Sequence, residues 1–156
     1  MNAQFDPPNI EYKGFSKINC LGLIISGIED EMLFSEIEKL FLSIGDETLS
    51  KQVTLGSFTE CPLYPLSVQF FIKQNKDGTF SGTIGVAVEA TSESTTIEVK
   101  YPSVDEENWY YQVGFMPIIE DKKILSNSDN TYILSQTKIL MQRVLDQLAL
   151  YWIEYP

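Results

Sequence analysis

Apolar residues run almost unbroken through Ile18-Asn19-Cys20-Leu21-Gly22-Leu23-Ile24-Ile25, a short β-branched stretch that predicts a strand covered on both faces. The spacing then changes. Leu33, Ile37, Leu40 and Ile44 recur every three or four residues, which is the stripe of an amphipathic helix. Glu29-Asp30-Glu31 stand at its start, where each acid gains about 0.3–1 kcal/mol from the helix dipole, and Gly45 reads as its stop.

From residue 51 to 116 the period becomes two. Val68, Phe70 and Ile72 alternate with Gln69, Phe71 and Lys73; Phe80, Ile84, Val86 and Val88 share a face; Thr95, Ile97, Val99 and Tyr101 oppose Thr96, Glu98 and Lys100. Half-buried antiparallel strands have this pattern. Asn75-Lys76-Asp77-Gly78 carries the Asp-Gly signal of a hairpin, and Thr91-Ser92-Glu93-Ser94 reads as a second turn. Trp109, Tyr111, Val113 and Phe115 form one face of a further strand that Pro117 is expected to end. The charged and then Ser/Asn/Asp-rich segment from Glu120 to Asn130 reads as a surface loop running into a helix cap at Asp129 or Asn130.

A last stripe of Ile133, Thr137, Leu140, Val144, Leu148 and Tyr151 opposes Gln136, Lys138, Gln142, Arg143, Asp146 and Gln147. It predicts a long amphipathic helix. The expected fold is therefore α+β: a single antiparallel sheet of about five to six strands, one helix in the N-terminal half, and a long C-terminal amphipathic helix packed on one face. Residues 1–14, with Pro7-Pro8 and Gly14, form an extended lead-in, and residues 15–156 a single domain.

The order of elements resembles the helix-grip shape of proteins that hold apolar ligands between a sheet and a helix. Residues 18–44 followed by 66–89, ending Thr83-Ile84-Gly85-Val86-Ala87-Val88-Glu89, also look like half of the effector-binding domains attached to bacterial drug-sensing regulators. The second half departs from that pattern by ending in one long helix. Neither likeness transfers a site.

Composition narrows the chemistry. The 156 residues include no histidine, one arginine (Arg143), and 22 acids against 11 cations, a formal charge of −11. The usual neutral-pH proton shuttle and the bidentate phosphate clamp are thus scarce, which argues against an enzyme. No GxGxxG, GxxxxGK or GxSxG pattern and no Asp-x-Asp-x-Asp-Gly loop occurs, so no catalytic residue, cofactor or metal ligand is assigned. A field of this sign repels nucleic acid and anionic lipid, and no run reaches the roughly 18 apolar residues that span a bilayer. Cys20 and Cys61 have neither CxxC spacing nor a histidine to share a zinc site. They are expected as two reduced thiols in a cytoplasmic protein, a disulfide between them requiring export.

Two acidic groups are candidate contact surfaces. The segment from Glu29 to Glu47 holds seven acids against Lys39, equally explained as a solvated helix face. Asp105-Glu106-Glu107 directly precede Asn108-Trp109-Tyr110-Tyr111, and acids next to large aromatics combine steering with an anchor. Asp105, Glu106, Glu107, Trp109 and Tyr110 are the expected contacts with a basic protein partner. The expected function is a non-catalytic, acidic protein-binding domain that neutralises or chaperones that partner, in the manner of an immunity or inhibitor protein. A small-molecule binder with a cavity lined by Phe70, Phe80, Tyr111 and Leu148, or a dimeric secretion chaperone, are the other readings.

Overall fold

The computed structural model describes residues 11–18, 20–49, 54–57, 66–74, 77, 80–90, 97–100, 110–111 and 116–156. Their order is β1 (Glu11–Lys13), a 3₁₀ turn (Phe15–Lys17), β2 (Cys20–Ser26), α1 (Glu31–Leu49), β3 (Thr54–Ser57), β4 (Leu66–Gln74), β5 (Phe80–Ala90), β6 (Glu98–Lys100), β7 (Tyr110–Tyr111), β8 (Met116–Ile124) and α2 (Asn130–Glu154). The α+β class holds, but the single antiparallel sheet does not. The strands form a five-stranded sheet in the order β3-β2-β4-β5-β8 and a three-stranded sheet in the order β1-β6-β7.

The larger sheet is mixed. β2 lies parallel to both β3 and β4, whereas β4-β5 and β5-β8 are antiparallel. Parallel pairing needs a crossover, and α1 supplies it. The two-faced apolar run of β2 is the composition of such a central parallel strand.

Side-chain alternation sorts the sheet into two faces. Leu23, Val68, Val88 and Ile119 form one row across β2, β4, β5 and β8; Ile25, Phe70, Val86 and Asp121 form the next. Both helices cover this face and pack against each other, α1 over β2 and β3, α2 over β5 and β8. Leu33, Ile37, Phe41 and Ile44 from α1 meet Ile133, Leu140, Val144 and Leu148 from α2 and the rows beneath in one continuous core. Large apolar side chains buried in this way contribute about 1.5–3 kcal/mol each relative to exposure.

Four further local expectations are corrected. Gly45 does not stop α1, which continues to Leu49 with Gly45 buried against its neighbours. Pro117 does not end a strand: it lies inside β8, opposite Glu89 beside a register shift, on an edge strand where a missing N–H is tolerated. The charged first part of the segment read as loop, residues 120–124, therefore belongs to β8, and charges on a sheet edge discourage further pairing. The strand around Val99 joins β1 and β7 instead of the larger sheet.

An aromatic cluster ties β1 of the small sheet to the end of α2. Tyr12 stacks on Tyr151 with ring centres 5.6 Å apart, Phe15 meets Tyr151 edge-on at 5.4 Å, and Tyr155 closes on both tyrosines. The Phe15 amide donates to the Tyr155 carbonyl and the Ser16 hydroxyl to that of Pro156, locking the end of α2 onto the 3₁₀ turn. Tyr12, within the stretch read as a lead-in, is a core residue.

Candidate partner-binding surface

Asp105, Glu106, Glu107 and Trp109 lie outside the described residues. Tyr110 opens β7, its backbone registered with Val99 of β6 at one side of the small sheet. That sheet carries opposite charges on adjacent strands: Lys13 pairs with Glu98 at 3.6 Å and Lys100 with Glu11 at 3.7 Å. Thus the aromatic-acidic stretch leads into a strand whose described neighbours are already charge-balanced.

The acids from Glu29 to Glu47 all lie among the described residues. Asp30 caps the helix, its Oδ1 accepting from the amides of Met32 (2.9 Å) and Leu33 (3.1 Å), so this carboxylate has a structural task. Beyond the cap, Met32, Ser35, Lys39, Leu42 and Asp46 fall in one line at helical spacing, on the side away from Leu33, Ile37 and Ile44. Met32 is 75% exposed and Leu42 46%, and Glu31, Asp46 and Glu47 are exposed around them. The face offers two apolar contacts set among carboxylates.

Ion pairing elsewhere leaves this face acidic. Among the described residues Lys13, Lys39, Lys100, Lys122 and Arg143 each pair with an acid of the same chain, and only Lys39, 3.2 Å from Glu36, belongs to α1. Exposed pairs of this kind contribute about 0–1 kcal/mol, so their main effect is to cancel charge locally. Asp121 is different. It is buried at the end of a core row, and Arg143 reaches it from α2 at 3.5 Å.

The other face of the larger sheet holds a second polar group that the sequence did not reveal. Glu120 and Lys122 of β8 lie 2.7 Å apart, and the Lys122 ammonium sits 6.0 Å from the centre of the Phe71 ring. That ring lies across Gly85, where any Cβ would overlap it. Burial, and after it the Glu120 charge, pushes the Glu89 carboxyl above its ordinary pKa. Strand alternation could have placed Glu89 here; Glu120 and Lys122 fell in the segment taken for a loop. At the start of α2 the Tyr132 hydroxyl is held below its ordinary pKa, chiefly by hydrogen bonding to Ser126, whose amide donates to it at 3.3 Å.

Among the described residues no group of three or more Cys, Asp or Glu is arranged to hold a metal ion. Phe70 and Leu148, read as cavity walls, are both fully buried members of the packed core, while the Phe80 and Tyr111 side chains lie outside the description. No helix among the described residues is long and apolar enough to cross a membrane. The two-thiol expectation is overturned: Cys20 is disulfide-bonded.

No family model matches the chain, and no curated protein matches it. Among solved structures it is similar to a PelC dodecamer from Paraburkholderia phytofirmans, at 11% identity and a TM-score of 0.41 over 90% of this chain and 96% of that one. A point variant of that dodecamer gives 12% identity and a TM-score of 0.42 over 90% and 98%. A Xanthomonas campestris protein of the DUF330 family gives 10% identity and a TM-score of 0.34 over 95% and 88%.

Proposed function

We propose that this chain is a non-catalytic, acidic protein-binding domain that captures a basic protein partner and neutralises or chaperones it, as immunity and inhibitor proteins do. The observation that carries the reading is the imbalance on α1: an exposed helix face with Met32 and Leu42 among carboxylates and one internally paired lysine. With a formal charge of −11, such a face attracts cationic surfaces and repels phosphate backbones. Steering acts within about a Debye length, ~8 Å at physiological salt, after which burial of apolar and aromatic anchors holds the complex. Asp105, Glu106, Glu107, Trp109 and Tyr110 form the second contact group in this reading.

Association kinetics test it. The partner is captured from cell extract at low salt, and its rate of association is compared for the native chain and for one carrying Asp105→Lys, Glu106→Lys and Glu107→Lys. The reversed chain should associate more slowly and with a weaker salt dependence. An unchanged rate refutes the assignment of that patch. Recovery of acidic or neutral partners alone, bound independently of salt, refutes the reading itself.

A further inference from the structure

Cys20, the first residue of β2, is half-buried and disulfide-bonded, and the sequence holds one other cysteine, Cys61. The strand order accounts for their meeting. β3 and β4 flank β2 on opposite sides and both run parallel to it, so the chain must cross β2 between Ser57 and Leu66. Cys61 stands midway in that connection, residues 58–65. Cys20 alternates with Leu21 and Leu23, which enter the core beneath the helices, so it belongs to the sheet face that the helices leave open. Cys61 is therefore the partner that the chain itself offers Cys20.

Cytosolic thiol pools keep such pairs reduced, and persistent structural disulfides belong to oxidising compartments. We infer that this chain is completed and acts in an oxidising compartment, where a Cys20–Cys61 disulfide staples the β3–β4 crossover to β2. The oxidant is a disulfide of another molecule, glutathione disulfide or an oxidoreductase. One cysteine thiolate attacks it to give a mixed disulfide, and the second cysteine thiolate then displaces the donor sulfur. The donor leaves as two thiols, carrying away the two electrons and two protons. This replaces the expectation of a cytoplasmic protein, and it stands independently of the partner-binding reading.

The test traps thiols in the cells that make the protein. Cells are fractionated after alkylation, and the denatured full-length chain is weighed intact, with and without prior reduction. The inference expects a chain in the oxidising fraction that takes up no alkyl group until reduced, then two. Two alkyl groups without reduction overturn the disulfide; an oxidised chain confined to the reducing cytosol overturns the compartment. Purified Cys20→Ser should expose one alkylatable thiol without reductant, and none overturns the pairing. If that variant does not fold, denatured material gives the same count.

Discussion

Removing the disulfide should cost this domain a large part of its stability. Cys20→Ser, or reduction of the native chain, opens a loop that runs from the first residue of β2 through all of α1 and β3 to Cys61. With about 40 residues in the closed loop, the chain-entropy relation gives a loss near 13 cal/mol/K in the unfolded state, or about 4 kcal/mol at 25 °C. A domain of this size shifts by about 2–4 °C in Tm for each kcal/mol, so the expected drop is roughly 8–16 °C. The assay is thermal unfolding followed by circular dichroism, run with and without a phosphine reductant, on both the native chain and Cys20→Ser. Reductant should lower the native Tm to that of the variant and leave the variant unmoved. A native Tm that shifts by less than about 2 °C on full reduction would refute the reasoning, because the loop constraint would then carry no weight.

Gly27 and Gly82 both adopt left-handed backbone, at φ 88° and 92°, but a Cβ on Gly27 would overlap the Ile72 carbonyl whereas one on Gly82 meets open space. Urea unfolding should show a loss of about 1–2 kcal/mol for Gly82→Ala, from backbone strain alone, and a clearly larger one for Gly27→Ala; equal losses would contradict the packing of β2's exit on β4. Glu89 has a folded-state pKa above its unfolded value, so it binds more protons when folded, and its burial costs stability as pH rises from the ordinary carboxylate value through the raised one. Glu89→Gln should therefore raise stability at neutral pH and lose that advantage in acid, and a variant that is destabilised at neutral pH would reverse the sign. Leu148→Ala, in the core between α2 and the sheet, should lower stability by about 2–5 kcal/mol in the same urea assay.

Both helices were legible because each has one wet face and one dry face, and 3.6-residue spacing survives whatever they pack on. The stripes through Leu33 and Ile133 were read correctly, and so was the hairpin that joins β4 to β5. Gly45 misled because a buried glycine inside a helix has the same appearance in sequence as one that ends it. β8 was missed because an edge strand carries the charges and proline that usually mark a loop. The strand around Val99 was recognised, but its assignment to a second sheet depended on Glu11–Lys13, a three-residue partner too short to show a period. The site was less legible than the fold. Charge could be counted from composition, whereas the pairing of Lys122 with Glu120 and of Arg143 with Asp121 depends on strand register.

The most direct measurement is the association rate of the captured basic partner as a function of ionic strength, for the native chain and for one carrying Glu38→Lys, Asp46→Lys and Glu47→Lys. These acids lie beyond the Asp30 cap, Glu38 in the middle of α1 and Asp46 and Glu47 in its last turn, where lysines suit the dipole, so the fold should be retained while the formal charge falls from −11 to −5. The account predicts a rate at least about 10-fold lower at low salt for the reversed chain, converging on the native rate as salt screens both. Equal rates at low salt, with both chains folded, would contradict it.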